Sequence, residues 1–170
     1  FEAKGIKDDR LYVTGAPHFD YLQSFECDES HIRTELGIPA EHDIVMLASQ
    51  PFDDTVRRKL VYAAIKSVNK LRNVSLILRP HPREDLALHL NAAECESNVV
   101  VSPEASIHDL LTLSDVLLSV RSTVILESCL LETPVLLLTF TEEGTNPFYS
   151  TNNGFPEIDD IKNLSPRIKS

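Results

Sequence analysis

The 170-residue sequence is poor in the residues that build disulfide or metal frameworks. Its three cysteines, Cys27, Cys95 and Cys129, are scattered and include no C-x-x-C pair. This usage is typical of reduced thiols in a cytoplasmic protein. Five histidines show no metal-ligand spacing with cysteines or carboxylates, and we interpret most of them as surface residues: His18, His31, His42, His89 and His108. We therefore expect no metal site and no resident cofactor.

Long apolar runs and basic runs are also missing. No apolar run approaches the ~20 residues needed to cross a bilayer, and no signal peptide is present. The formal charge of -10 and the pI of about 5.0 argue against duplex nucleic acid as a partner, because binding to it depends on Lys and Arg. We expect a cytoplasmic protein without a transmembrane segment. The sequence begins at Phe1, which suggests an excised piece of a larger protein.

The common nucleotide and hydrolase motifs are absent. The sequence has no G-x-G-x-x-G and no G-x-x-x-x-G-K-[ST], so dinucleotide-binding and Walker-type sites lose their usual support. It also has no G-x-S-x-G elbow, which argues against a hydrolase of that type.

What the sequence does contain is a regular alternation of short apolar runs and amphipathic stretches. The runs at 11–13, 43–49, 74–79, 98–102, 115–120 and 134–140 predict strands. The stretches at 30–37, 56–71, 84–93, 105–113 and 122–131 predict helices, with one weaker helix at 157–163. Strands that are apolar throughout are typical of a sheet buried on both faces. We therefore predict one domain, 1–170, with a three-layer Rossmann-like α/β fold: a doubly wound, mainly parallel sheet with helices on both faces.

In such a sheet, ligands bind beyond the carboxyl ends of the strands. The residues directly after the predicted strands form a polar set with two arginines and a histidine. The set comprises Gly15 after the first run, Ser49 and Gln50, Arg79 and His81, then Arg121, Ser122 and Thr123, and finally the segment 139–145 with Glu142 and Glu143. We predict that the binding site lies among these residues.

The segment RSTVILES ends a strand and starts a helix. Free N–H groups at a helix start carry partial positive charge, so Ser122 and Thr123 are suited to bind a phosphate. Glu127 lies four residues after Thr123 on the same face of the helix and could accept hydrogen bonds from ribose hydroxyls. The alternative is that the hydroxyls are ordinary N-caps and that Glu127 is a solvated acid of the first turn.

His81 lies between two prolines, which stiffen its loop. A stiff histidine between Arg79 and Arg83 could bind a phosphate or the leaving group of a nucleotide. The alternative is a surface turn with a mobile histidine. For Gly15 the alternatives are close approach of backbone to a ligand or a simple turn.

Three segments together resemble a known group of enzymes. VTGAPHFDYL, LRPHPRE and SDVLLSVRSTVILESCLLETPVLLL resemble the C-terminal half of GT-B-fold nucleotide-sugar enzymes. The most similar branch contains non-hydrolysing UDP-GlcNAc 2-epimerases, capsule glycosyltransferases and polyol-phosphate transferases. His81-Pro82 and Ser122-Thr123 also look like the His-Pro and Ser/Thr-pair motifs of bacterial sialyltransferases. The resemblance covers about 10–145.

The resemblance implies a two-domain enzyme in which this chain is the donor-binding half. By that likeness Ser122 and Thr123 hold the diphosphate, Glu127 the ribose, and Gly15 lies at the interdomain cleft. His81 and Arg79 would lie near phosphate or base, and His81 is the candidate catalytic residue. The missing N-terminal domain would supply the acceptor site. The full enzyme could associate peripherally with a membrane.

The function predicted from this likeness is a GT-B glycosyltransferase that moves a sugar from an NDP- or CMP-sugar to a polysaccharide or glycoconjugate. The reaction would be displacement at the anomeric carbon without an obligatory metal. One alternative is a UDP-GlcNAc-type 2-epimerase, but those enzymes have Asp-Ser-Gly-Gly where this chain has Val-Arg-Ser-Thr. Another alternative is a non-catalytic α/β domain that binds a ligand or a protein.

Overall fold

The computed structural model describes residues 12, 15–141, 143, 149 and 154–169. Within these residues six parallel strands form one sheet in the order β3-β2-β1-β4-β5-β6. The strands are β1 (Asp43–Ala48), β2 (Val74–Arg79), β3 (Val99–Val101), β4 (Val116–Ser119), β5 (Val135–Leu138) and β6 (Glu157–Ile158). The predicted parallel, doubly wound sheet is confirmed, and its order reverses between β1 and β4.

Helices cover both faces of the sheet. They are α1 (Glu29–Leu36), α2 (Asp54–Val68), α3 (Ala87–Ala93), α4 (Ile107–Leu113), α5 (Val124–Leu130) and α6 (Leu164–Ile168), with 3₁₀ helices at Pro17–Ser24 and Ile161–Asn163. One apolar core lies under α2, α3 and α6, and the other lies under α1, α4 and α5. No helix in the described part of the chain is long and apolar enough to cross a membrane.

The continuous apolar strands supply both cores at once. Along β1, Val45 and Leu47 belong to one core, while Ile44 and Met46 belong to the other. All four side chains are at most 1% exposed. Each such side chain stabilises the fold by roughly 1.5–3 kcal/mol. The two cores together therefore fix which residues end at the carboxyl edge of the sheet.

Short polar side chains begin several of the helices. Asp53 caps α2 by accepting hydrogen bonds from the N–H groups of Thr55 and Val56. Ser106 caps α4 in the same way. Gly37 ends α1 in the left-handed conformation, with φ of 66°. These positions agree with the helix boundaries expected from sequence.

The structure also differs from the predictions. The weak helix expected at 157–163 is wrong at its start, because Glu157 and Ile158 form β6, and helical structure begins at Ile161. The run 134–140 is therefore not the last strand. Helix α3 begins at Ala87 rather than at residue 84. The strand predicted at 11–13 lies outside the described residues, apart from Tyr12, which is exposed and irregular.

Candidate functional site

One side chain joins the carboxyl ends of β1 and β4. Gln50, two residues after β1, accepts through Oε1 a hydrogen bond of 3.2 Å from the Arg121 N–H. Its Nε2 donates to the Arg121 carbonyl oxygen. Since Arg121 lies two residues beyond β4, this amide links the two strands across the point where the sheet order reverses. The bridge fixes where the segment 121–123 leaves the sheet.

The Arg121 side chain spans the same opening. Its guanidinium lies 5.3 Å from the centroid of the Phe52 ring. Its Nη1 and Nη2 donate to the carbonyl oxygen and carboxylate of Glu143, at 3.2 and 2.7 Å. The side chain is still 45% exposed. An exposed pair of this kind is weak, so this guanidinium can exchange partners at low cost.

The hydroxyl pair that precedes α5 is only partly used by the protein. Ser122 Oγ accepts a hydrogen bond of 3.3 Å from the Val124 N–H. Thr123 is exposed, and its side chain caps no N–H of α5. Within the described residues its hydroxyl therefore stays available to a ligand.

Glu127 is not the solvated acid of the alternative interpretation. Its side chain is 14% exposed, and Oε2 lies 2.9 Å from Nε2 of His108 on α4. The other histidine nitrogen, Nδ1, lies 2.8 Å from the Tyr21 hydroxyl. Among the residues that the structure describes, only Oε2 is engaged, so Oε1 remains an acceptor for hydroxyl groups of a ligand.

Aromatic rings hold His108 in this position. The rings of Tyr21 and Phe25 contact the imidazole edge-to-face, with centroids at 5.3 and 5.7 Å. Both residues come from the 3₁₀ helix at 17–24 and its end, a segment that sequence analysis left without structure. This corner therefore combines the chain before β1 with α4 and α5.

The His81 loop is anchored by a buried carboxylate. Glu84 is only 1% exposed at its side chain. Its Oε2 accepts a hydrogen bond of 2.6 Å from the His81 N–H, and its Oε1 accepts one of 2.8 Å from the Ser49 hydroxyl. The loop after β2 is thus tied to the end of β1. The alternative of a mobile surface turn is not supported by these contacts.

The imidazole of His81 has a defined orientation. Its Nδ1 accepts a hydrogen bond of 3.1 Å from the Arg83 N–H. A nitrogen that accepts carries no hydrogen, so the neutral ring keeps its hydrogen on Nε2. Nε2 is therefore a donor whether the ring is neutral or charged. A donor with fixed direction suits a phosphate oxygen that gains negative charge.

Arg57 and His89 form the interior side of this anchor. Arg57 lies 3.7 Å from Glu84 and donates to Asp54, and this hydrogen bond is the main reason why the pKa of Asp54 is lowered and that of Arg57 is raised. His89 on α3 is completely buried, and burial lowers its pKa. The interpretation of His89 as a surface histidine is therefore wrong.

Arg79, at the end of β2, is turned toward the neighbouring edge strand. Its Nη1 donates to the carbonyl oxygens of Ser102 and Pro103, which follow β3. Burial lowers the pKa of this guanidinium. Arg79 therefore fixes the loop after β3, and one of its nitrogens is already used. Gly15 is exposed with φ of 78°, a conformation that favours glycine.

A shallow pocket of about 330 Å³ lies at the carboxyl edge near the start of α2. Its lining comprises Asp53, Thr55, Val56, Lys59 and Thr141. Lys59 Nζ donates to the Phe140 carbonyl oxygen at 2.6 Å, which places a cation between α2 and the end of β5. Among the residues that the structure describes, no group of three or more His, Cys, Asp or Glu side chains could hold a metal ion.

The structure thus brings Gln50, Arg121, Ser122 and Thr123 together at the reversal point, and it ties His81 to the end of β1. Sequence analysis missed Glu84, His108 and Tyr21. Glu84 follows His81 by three residues, which is the spacing at which a side chain accepts a hydrogen bond from a turn N–H. This contact could therefore have been predicted from sequence. His108 gave none, because its partner Glu127 is distant along the chain and meets it only in the folded protein.

Solved structures with the same fold include transferases and a 2-epimerase. The chain matches the wall teichoic acid polymerase TagF, a variant soaked with CDPG, with a TM-score of 0.69 and 19% identity over 98% of this chain and 42% of that one. It matches WaaG, a glycosyltransferase involved in lipopolysaccharide biosynthesis, with a TM-score of 0.60 and 19% identity over 91% and 45%.

A UDP-GlcNAc 2-epimerase from Methanocaldococcus jannaschii, in complex with UDP-GlcNAc and UDP, matches with a TM-score of 0.70 and 14% identity over 99% of this chain and 49% of that one. At such identities these likenesses establish the fold alone. The chain spans less than half the length of each of these proteins. A sequence search of curated proteins gave no match.

Sequence evidence for the family is direct. The model of the CDP-glycerol:poly(glycerophosphate) glycerophosphotransferase family matches residues 2–162, which is nearly the whole chain. This match confirms the predicted resemblance to GT-B enzymes and to the branch that contains polyol-phosphate transferases. The chain belongs to the CDP-glycerol:poly(glycerophosphate) glycerophosphotransferase family.

Proposed function

We propose that this chain is the donor-binding half of a cytoplasmic GT-B transferase that takes an activated unit from a nucleotide carrier and adds it to a polymer or glycoconjugate. The observation that supports it most is the position of residues 121–123 and Glu127 at the reversal point of the sheet, in a member of this family. The sequence predicted a sugar as the unit. The family description narrows our proposal to a polyol phosphate carried by a cytidine nucleotide.

Each polar group at the edge has a proposed task. Ser122, Thr123 and the Arg121 guanidinium bind the diphosphate, and Glu127 Oε1 accepts from the ribose hydroxyls. His81 Nε2 donates to the phosphate that becomes the leaving group. Arg79 supports the edge through the loop after β3, and Gly15 lies where the N-terminal domain meets this one. Of these groups, the Thr123 hydroxyl, Glu127 Oε1 and His81 Nε2 have no hydrogen-bond partner within the described residues.

In the polyol-phosphate reaction, an acceptor hydroxyl oxygen forms a bond to the phosphorus that carries the polyol. The bond from that phosphorus to the bridging oxygen breaks, and the nucleoside monophosphate leaves with the electron pair. Donors from His81 and the 121–123 segment stabilise the charge on the departing phosphate. We place the acceptor site, and the base that takes the hydroxyl proton, in the N-terminal domain.

Calorimetric titration tests the proposal with CDP-glycerol, CMP, CDP, UDP-GlcNAc and UDP. We expect binding of the cytidine compounds and loss of affinity of about tenfold in Ser122→Ala, equivalent to one or two hydrogen bonds to phosphate. Ser30→Ala, an exposed serine on α1, is the matched control. Tighter binding of the uridine compounds would favour the epimerase or a sugar transferase. Equal binding by both variants would remove the 121–123 segment from the site.

A further inference from the structure

Basic residues are strongly concentrated in one part of this acidic chain. Residues 55–83 contain eight of the 16 Lys and Arg residues and none of the 26 Asp and Glu residues. Three of the eight have local tasks: Arg57 and Arg79 are held by protein acceptors, and Arg83 belongs to the His81 loop. The other five lie on α2 or just after it: Arg58, Lys59, Lys66, Lys70 and Arg72.

The exposed face of α2 is a narrow cationic stripe. Apart from Asp54 in the first turn, the exposed positions of α2 are Thr55, Arg58, Lys59, Tyr62 and Lys66, and exposed Asn69 and Lys70 follow directly after the helix. At 100° per residue these positions fall within about 120° of the helix circumference. The opposite side of α2 is buried in the core. The helix therefore presents a line of positive charge to solvent, with Tyr62 at its centre and 49% exposed.

The cations of this stripe are not neutralised by the protein. No ion pair involves Arg58, Lys66, Lys70 or Arg72 within the described residues. An ordinary solvated helix mixes both signs of charge and gains from i,i+4 pairs. Bases outnumber acids here, although acids outnumber bases in the chain as a whole: the nearby acids are Asp54, four residues before Arg58, and Glu96, which lines a pocket with Lys66 and Lys70. The unpaired charge is available to an external anion.

The stripe starts at the candidate site. Lys59, whose Nζ donates to the Phe140 carbonyl, lines the pocket at the carboxyl edge of the sheet. From Arg58 to Lys66 the helix rises about 12 Å, and Lys70 and Arg72 continue toward the opposite edge. There a second pocket of about 400 Å³ is lined by three bases, Lys70, Arg72 and Lys169, and by two acids, Asp43 and Asp115. The charges thus form a path that leads away from the site.

We propose that the outer face of α2 binds a linear polyanion with repeated phosphate groups, holding a polymer chain that extends from the site. The nature of the polymer rests on the proposed function, since the family description names a poly(glycerophosphate). The surface argues for a chain rather than a lipid plane. Two acids that follow α3 lie beside this surface. Glu94 is exposed, and Glu96 accepts a hydrogen bond of 2.7 Å from Asn69. A flat anionic membrane would press against these acids, whereas a single chain passes beside them.

The test uses the 170-residue chain with end-labelled poly(glycerol phosphate), followed by fluorescence anisotropy. The variant is Arg58→Gln/Lys66→Gln. The control is Lys162→Gln/Arg167→Gln, which changes two exposed basic residues, one in the 3₁₀ helix at 161–163 and one in α6, and removes the same charge. We expect the Kd to rise about tenfold in the variant and less than about twofold in the control. The variant should also show a shallower dependence of binding on salt, because fewer counterions are released.

Two outcomes would overturn the proposal. The first is that the unmodified chain does not bind the polymer. The second is that the variant and the control bind it equally weakly, which would indicate diffuse electrostatic attraction. Vesicles of phosphatidylglycerol and phosphatidylcholine provide another arm. If the chain binds these vesicles but not the polymer, and only the α2 variant loses that binding, the face would be assigned to a lipid surface. Self-association in sedimentation, lost only in that variant, would assign it to a second copy.

Nucleotide titration separates this inference from the proposed function. The α2 variant should bind CMP like the unmodified chain, and Ser122→Ala should bind the polymer like the unmodified chain. Loss of polymer binding in Ser122→Ala would place the polymer in the donor site and overturn the α2 surface. Failure of all nucleotides to bind, with polymer binding intact, would remove the donor site and leave the surface.

Discussion

Two turns at the carboxyl edge of the sheet follow buried strands and carry polar residues, yet the fold treats them differently. The turn after β2 is anchored from inside, because Glu84 is 1% exposed and accepts from both the His81 N–H and the Ser49 hydroxyl. The backbone of the turn after β4 is held by two hydrogen bonds between the Gln50 side chain and Arg121. Its side chains, Arg121 and Thr123, are exposed.

The comparison shows that a turn can have a fixed backbone while its side chains differ in how available they are to a ligand. In the first turn the backbone is tied to the interior, and His81 Nε2 remains as a directed donor beside the exposed Arg83. In the second turn the backbone is fixed but the Thr123 hydroxyl caps nothing, and the Arg121–Glu143 pair is solvated. A ligand at this edge would therefore meet one pre-oriented donor and several groups that can adapt. Four predictions test this comparison.

The largest effect is expected from removing the buried anchor. Glu84→Ala leaves the His81 N–H and the Ser49 hydroxyl without their acceptor, and Arg57 loses one of its two carboxylate partners, keeping Asp54. We expect a loss of about 3 kcal/mol in the free energy of unfolding. Glu143→Ala, which removes the half-buried partner of the Arg121 guanidinium, should cost less than about 1 kcal/mol. Urea denaturation measures both, and similar losses would contradict the distinction between the turns.

A second effect concerns pH and the same interior. Burial lowers the pKa of His89 in the folded state, so below the unfolded value of about 6.5 the unfolded chain binds more protons and the fold loses stability. Between pH 7.5 and 5.0 this single site can remove at most about 2 kcal/mol. His89→Leu should lose less stability over that interval than the unmodified chain does. His31→Gln, an exposed control, should keep the slope. An unchanged slope in His89→Leu would contradict the assignment.

Gln50→Ala removes the bridge that fixes the turn after β4. The loss of two hydrogen bonds at a half-buried position should cost about 1 kcal/mol. We also expect weaker nucleotide binding, because the 121–123 segment would no longer have one position. Gln23→Ala, at an exposed position in the 3₁₀ helix, is the control. If nucleotide affinity is unchanged while stability falls, the bridge serves the fold alone.

The smallest effect on stability is expected at Thr123. Since its side chain caps no helix N–H, Thr123→Ala should change the free energy of unfolding by less than about 0.5 kcal/mol. Ser106→Ala, which removes the cap of α4, should cost about 1 kcal/mol. Nucleotide affinity should show the reverse order. A stability loss at Thr123 equal to that at Ser106 would mean that Thr123 serves as a cap after all.

Much of the fold follows from local sequence pattern. The apolar runs gave β1, β2, β4 and β5 to within a residue or two, and Asp53 and Gly37 marked helix ends. The missed strand β6 has only two residues and no apolar run, so its structure depends on pairing with β5. The late start of α3 has a similar cause, because Glu84 is drawn into the interior by Ser49 and Arg57.

The candidate site divides in the same way. Positions after strands could be identified from sequence, since parallel strands end at one edge. The sequence could not show whether a side chain there is free or already hydrogen-bonded, because that depends on partners far along the chain. Glu127 read as a surface acid or a ligand residue, and only its contact with His108 shows a half-used carboxylate. Arg79 was expected near the phosphate or base of a ligand, and the structure shows that it donates to the loop after β3.

The sequence by itself determined the strand and helix order, the doubly wound sheet and the edge where a ligand can bind, because these depend on the period of apolar residues and on local caps. Tertiary structure alone decided that Glu84 and His89 are interior and that Gln50 bridges two strands. Those outcomes depend on burial and on contacts between distant residues, and no local pattern encodes either.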